Sequence, residues 1–274
     1  MKRVFCLFLL VSVLVNAQQK YVVEKDIHYY SDAVNKNDGY IDSQCTLDVY
    51  YPKDVKEFAT VVWFHGGGLT GGNKEIPKAL LEKGFAVVGV GYRLSPKVKA
   101  PAYIEDAAAA TAWVFHNIEK YGGRTDLIFL SGHSAGGYLS MMIGFDEKYL
   151  AKYDIDANKV AANIPFSGHT ITHFTIRKEM GLKDTQPLID NYAPLYFVRK
   201  NAPPLVLVTG DAEMELLGRY EENAYMWRMM KLAGHNQTTL YKLQGFDHGG
   251  MAEPAFFLLV NEVKNRTKEI LKNG

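Results

Sequence analysis

The sequence predicts an α/β fold, a central eight-stranded, mostly parallel sheet with helices on both faces, and three observations carry that reading. Short, continuous apolar runs recur along the 274-residue chain, as strands buried on both faces require. Helical patterns separate the later runs, so strand and helix alternate as they do when helices form the crossovers of a parallel sheet. Gly84 and Gly234 stand where two of those helical patterns stop, the position at which a helix most readily ends.

Taken in order, strands are expected at residues 21–30, 45–51, 60–64, 85–91, 126–130, 160–166, 205–209 and 238–243. The first two alternate polar and apolar residues like a hairpin at a solvent-facing edge, and the later six are continuous apolar runs. Helices are expected at 76–83, 103–121, 135–145, 190–199, 216–233 and 254–271. Residues 167–188 break the alternation. This polar stretch carries His169, Thr170, Thr172, His173 and Arg177, and reads either as a short lid-like insertion touching a polar substrate or as a surface helix and loop. His169 and His173 are four apart, a spacing that would put two metal ligands on one helix face, but the pattern is weak and no metal is expected.

Composition bounds the compartment and the partners. Lys2 and Arg3 precede an apolar run over residues 4–15, and Val15-Asn16-Ala17 offers small side chains at a cleavage point. Residues 1–17 therefore read as a secretory signal peptide, which places the mature chain in the periplasm or the medium. The run is too short for a bilayer, which needs about 20 apolar residues, so no stable membrane insertion is expected. Residues 18–274 form one domain. They contain a single cysteine, Cys45, so the fold must be held by its core rather than by an internal disulfide. A formal net charge of +1, without a basic run or aromatic-basic stripe, argues against a nucleic-acid partner.

The chemistry lies in three glycine-rich segments. Gly132-His133-Ser134-Ala135-Gly136-Gly137 follows the apolar run at 127–130 directly, so a buried strand turns sharply into a helix at Ser134. Glycines on both sides leave no Cβ to crowd that turn, and the hydroxyl is lifted clear of the sheet as a nucleophile. His65-Gly66-Gly67-Gly68 ends the strand at 60–64. The N–H groups of Gly66 and Gly67, with that of Ala135, are placed to bind an oxyanion, and losing one such donor typically costs about 10²–10³ in turnover. Gly245-Phe246-Asp247-His248-Gly249-Gly250 follows the last strand and supplies His248 as general base. The turn after the strand at 205–209, Gly210-Asp211-Ala212-Glu213, offers two carboxylates, Asp211 and Glu213, to orient that histidine.

The order serine, acid, histidine resembles that of α/β-hydrolases of the esterase type. The chain is similar to hormone-sensitive-lipase-like carboxylesterases, kynurenine formamidases and bacterial acetylxylan or feruloyl esterases. The resemblance covers nearly all of residues 18–274. It includes Gly91-Tyr92-Arg93-Leu94-Ser95-Pro96, the segment 101–106 and Asn201-Ala202-Pro203-Pro204. It implies scaffold roles for Tyr92, Arg93 and Asp106, with an Arg93–Asp106 ion pair. It also favours Glu213 as the acid, because in similar sequences the catalytic carboxylate stands three residues after a glycine or small residue, leaving Asp211 to form the turn.

The expected activity is that of a secreted serine hydrolase. Ser134, His248 and Glu213 would cleave esters of small or carbohydrate-linked acyl groups through an acyl-enzyme, with no metal or cofactor. The substrate would be a small-molecule or polysaccharide-linked ester. Two rival readings are an amidase or peptidase on the same triad, and a hydrolase-fold binding protein without catalysis.

Overall fold

The computed structural model describes residues 20–273; the expected signal peptide lies outside the described residues. Eight strands form one sheet: β1 (Tyr21–His28), β2 (Thr46–Pro52), β3 (Phe58–Phe64), β4 (Ala86–Val90), β5 (Gly123–His133), β6 (Ala162–Phe166), β7 (Leu205–Thr209) and β8 (Thr238–Lys242). Their spatial order is β1-β2-β4-β3-β5-β6-β7-β8. β1 and β2 pair antiparallel, as the edge hairpin predicts, but β2 also pairs antiparallel with β4 and is buried on both faces. From β4 to β8 every neighbouring pair is parallel.

The helices are α1 (Asp32–Asn37), α2 (Gly39–Gln44), α3 (Ala102–Tyr121), α4 (Ala135–Phe145), α5 (Lys148–Ala151), α6 (Phe174–Glu179), α7 (Arg219–Leu232) and α8 (Ala252–Asn273). Two expected helices shrink to 3-10 turns, Lys78–Leu80 and Pro194–Phe197. At the first, Leu81 is extended and Glu82 turns to φ 58°, which stops the helix. At the second, Pro194 has no N–H to give the Asp190 carbonyl four residues back, and the Asp190 carboxylate takes the Tyr192 N–H at 2.8 Å in a competing local turn. The expected helix at 216–233 starts late, at Arg219 after Gly218 with φ 64°, because residues 211–216 are drawn into the turn beyond β7.

Alternation along the strands sorts the core into two layers. Val62, Phe64, Val88, Ile128 and Leu130 face α3 and α4 on one side of the sheet. Val61, Trp63, Val87, Phe129, Ile164 and Val208 face Met251, Ala255, Leu259 and Val263 of α8 and the turn before it on the other. A satellite cluster joins Leu205 and Leu207 to Met226 and Met230 of α7. Each large side chain so buried contributes about 1.5–3 kcal/mol.

The strand order also places the site. From β3 the chain goes to β4 on one flank, then returns past β3 to β5 on the other. Loops leaving β3 and β5 consequently diverge, and a crevice opens at the carboxyl ends of these two strands, where open α/β sheets bind ligands.

Candidate active site

Ser134 sits at that crevice, between the last residue of β5 and the first of α4. Its backbone has φ 55° and ψ −112°, a conformation that costs a non-glycine residue about 1–3 kcal/mol and persists only where surroundings enforce it. They do so here. The Ser134 N–H donates to the Phe166 carbonyl at 2.8 Å, and its own carbonyl accepts from Tyr138 N–H at 3.0 Å. A Cβ on Gly132 would lie 2.5 Å from the Phe64 carbonyl oxygen, and one on Gly136 would run into the same oxygen, so β3 packs directly against the turn through both glycines.

The β3 loop closes over the serine from the other side. A Cβ on Gly66 would meet Ser134 Cβ at 3.8 Å, which sets this residue against the nucleophile position. Gly67 adopts φ 112° and its carbonyl accepts from Thr70 and Gly71 N–H, each at 3.0 Å, folding the loop into a tight turn. His65 anchors the turn: its carbonyl accepts the Tyr92 hydroxyl at 2.7 Å, its Nδ1 lies 2.7 Å from the Gly66 oxygen, and its ring stacks on Tyr92. As the first residue of α4, Ala135 has an N–H with no partner inside the helix. Gly66 and Ala135 thus flank Ser134, and Gly67 continues the β3 loop beyond Gly66.

The carboxylate that meets His248 is a different residue from the one expected. His248 Nδ1–H donates to Glu215 Oε2 at 2.8 Å, whereas Glu213 is exposed and does not approach the ring. The turn geometry explains the displacement. Asp211 Oδ1 accepts from the Glu213 N–H at 3.0 Å and the Asp211 carbonyl accepts from Glu215 N–H at 2.9 Å, which throws Glu213 outward and returns Glu215 to the strand end. Asp211 is the turn former, and its Oδ2 also accepts from Gly245 N–H at 2.9 Å, tying the acid turn to the histidine loop. No feature of the sequence separates Glu215 from its two acidic neighbours; the need for glycine at 210 comes closest, since a Cβ there would sit 3.0 Å from Glu215 Oε1.

Glu215 is almost fully enclosed, with 1% of its side chain exposed. Burial pushes its pKa up, but hydrogen bonds from His248, the Ser167 hydroxyl and Gly210 N–H outweigh it and hold the carboxyl at about 2. An ionised Glu215 keeps the proton on Nδ1 of His248 and leaves Nε2 bare as an acceptor. Ser167, in the left-handed region at φ 49°, also lies 3.2 Å from His248 Nδ1, and its carbonyl accepts from the buried Arg219 guanidinium.

His133, unassigned in the sequence reading, donates from Nε2 to the His248 carbonyl at 2.8 Å and packs its ring 4.8 Å from the His248 ring. Burial first, and the neighbouring His248 second, lower its pKa to about 4, so it stays neutral and keeps the loop in place. The Arg93–Asp106 pair forms, with Nε–Oδ2 at 2.8 Å and Nη2–Oδ1 at 2.7 Å.

The polar insertion at 167–188 folds down over this centre. Its threonines serve the protein: Thr170 donates to the Glu222 carbonyl, Thr172 to Asp190 and Thr175 to the Gly68 carbonyl. His169 and His173 precede α6 instead of sharing a helix face, and their rings meet edge to face at 4.8 Å. Among the described residues no group of three or more His, Cys, Asp or Glu is placed to hold a metal.

Residues 47–217, from β2 through the acid turn, match the BD-FAE family. The chain belongs to the BD-FAE family. Among curated relatives of this BD-FAE member, Esterase LipC of Mycobacterium tuberculosis is 24% identical over 82% of the chain and 64% of its own length. Carboxylesterase NlhH of the same species is 40% identical over 35% of the chain and 32% of its own length. The chain therefore spans less than two thirds of the curated relatives it matches. Among solved structures, a truncated carbohydrate esterase from gut microbiota superposes with a TM-score of 0.74 at 19% identity, covering 93% of this chain and 99% of that one. Esterase 2 of Thermogutta terrifontis, phosphoramylated by tabun, gives 0.69 at 21% identity, covering 89% and 94%. These likenesses establish the α/β-hydrolase fold for the BD-FAE chain.

Proposed function

We propose that the protein is a serine carboxylic ester hydrolase acting through Ser134, His248 and Glu215. The hydrogen bond of His248 Nδ1 to the ionised Glu215, on a loop that His133, the neighbour of Ser134, holds through the His248 carbonyl, carries this reading together with the strained strand-to-helix turn at Ser134. His248 Nε2 takes the hydroxyl proton as Ser134 attacks the ester carbonyl, and N–H groups of Gly66, Gly67 and Ala135 stabilise the oxyanion. Collapse expels the alcohol, which takes the proton from His248. Water then enters, is deprotonated by the same ring and releases the acid. These steps need only the chain's own groups.

The proposal extends to exported protein and to small or carbohydrate-linked acyl esters. The apolar leader-like run at residues 4–15 supports export, and the gut-microbiota carbohydrate esterase supports a sugar-linked substrate by analogy. The decisive assay is 4-nitrophenyl acetate turnover by wild type and His248→Ala. The wild type should turn over and the variant should lose at least about 10⁴ in kcat. Equal turnover in both would remove the mechanism. A panel of acetylated and feruloylated sugars beside aminoacyl amides then separates esterase from amidase.

A further inference from the structure

Next to the catalytic centre lies a cavity of about 200 Å³ whose polar groups the mechanism does not use. Phe174, Leu216 and Leu217 form its apolar walls, and His169, Arg177, Asp184 and Arg219 supply its polar lining. It touches both halves of the machinery. Phe174 packs against the oxyanion loop, 3.3 Å from where a Gly68 Cβ would stand, while Leu216 directly follows Glu215 and Arg219 donates to the Ser167 carbonyl.

Two of its polar side chains are buried without full partners. His169 is 3% exposed; its Nδ1 lies 2.7 Å from Glu222 Oε1 without hydrogen-bond alignment, and its Nε2 has no partner. Arg177 is 4% exposed, with one Nη1 bond to the Gln186 carbonyl and an unpartnered Nε. Leaving a buried donor or acceptor unpaired is costly, so each such group calls for a partner, which an ordered water, an ion or a ligand supplies. Burial holds the His169 imidazole in its neutral form, so it presents one donor and one acceptor. Glu222 and Asp184 already face the two guanidiniums, which leaves no surplus cation to recognise a carboxylate.

We propose that this cavity is the subsite for a short, hydroxyl-bearing part of the ester, whose oxygen accepts from Arg177 Nε–H and whose proton goes to the free nitrogen of His169. The inference rests on the ester-hydrolase reading above. It names the chemical class of substrate: a compact ester with a neutral hydroxyl a few atoms from the scissile carbonyl, on either its acyl or its alcohol side.

The test compares kcat/KM within two pairs, ethyl butyrate against ethyl 3-hydroxybutyrate for the acyl side, and propyl acetate against 3-hydroxypropyl acetate for the alcohol side. Wild type should favour the hydroxylated member of one pair by about tenfold or more, since a site built to hydrogen-bond a hydroxyl discriminates strongly against its absence. His169→Phe and Arg177→Met should each bring that ratio towards one. The ratio is internal to each preparation, so partial loss of folded protein cancels. A wild-type ratio near one in both pairs, or a preference unmoved by either substitution, overturns the subsite while leaving the esterase standing. No turnover of any of the four esters overturns both.

Discussion

The carboxyl and amino ends of the parallel strands present two surfaces of different kinds. At the carboxyl ends of β3, β5, β6 and β7 the chain runs into His65, a strained Ser134, Ser167 and the turn that brings back Glu215, nearly all of it buried and hydrogen-bonded. At the amino ends of β5 to β8 an open cleft of about 580 Å³ is edged by Asn158, Lys159, Lys200, Gln237 and Arg266. That cleft is larger than the 200 Å³ cavity lined by His169, Phe174 and Arg219. Its long side chains are mostly exposed, and Arg266 is occupied by the Ala161 carbonyl and Gln237. Another cleft of about 660 Å³, lined by Thr70, Ser95, Phe174 and Glu179, opens beside the β3 loop, so clefts of similar size lie at both ends and size does not mark the working end of this sheet. Backbone strain, buried charge and perturbed acids do.

Substitutions at the two ends should sharpen that contrast. Ser134→Ala should lower kcat on 4-nitrophenyl acetate by about 10⁶, whereas Lys200→Ala in the opposite cleft should leave it unchanged. Glu215→Gln should cost about 10⁴ in kcat by removing the anion that fixes the His248 tautomer. Glu213→Gln should fall within about twofold of wild type, because an exposed carboxylate off the ring contributes little to the reaction. A larger loss from Glu213→Gln than from Glu215→Gln would reverse the assignment of the acid.

Much of this contrast is legible in the sequence, and the part that is not has a physical cause. Continuous apolar runs and glycine-flanked turns are local signals, so the parallel strands, α4 and the positions of Ser134, His248 and the oxyanion loop can be read directly. The ends of the helical patterns at 76–83 and 190–199 cannot be read from periodicity alone, because a positive φ at Glu82 in the first, and a missing Pro194 donor with an Asx turn in the second, override it. Glu215 is hidden for a related reason. Three acids lie within Asp211–Glu215, and which one reaches the ring is decided by how the Asp211 side chain and carbonyl wind the turn. His133 and Ser167 gain their roles only through residues more than 80 positions away, His248 for both.

Stability measurements probe the same two ends. Leu259→Ala, which empties a buried position on α8, should destabilise the fold by about 2–5 kcal/mol in urea melts and leave kcat per folded molecule unaltered. The pH dependence has a definite sign. Glu215 is depressed from 4.5 to about 2 in the folded protein, so its stabilisation is present above about pH 4.5 and is lost as pH falls through 2. That shift corresponds to about 3 kcal/mol, and Glu215→Gln should flatten the acid side of the stability curve accordingly. Glu222 has the opposite sense: burial raises it to about 7 against the pull of Arg219, so its contribution is complete below about pH 4.5 and disappears as pH rises through 7. Urea midpoints of wild type should therefore decline between those values, and those of Glu222→Gln should not.

The most direct test of the central claim is covalent. Natively folded protein treated with a fluorophosphonate and analysed by peptide mass spectrometry should carry the adduct on Ser134 alone, with labelling slowed by orders of magnitude in His248→Ala. An unmodified Ser134, or labelling that proceeds equally without His248, would contradict the account.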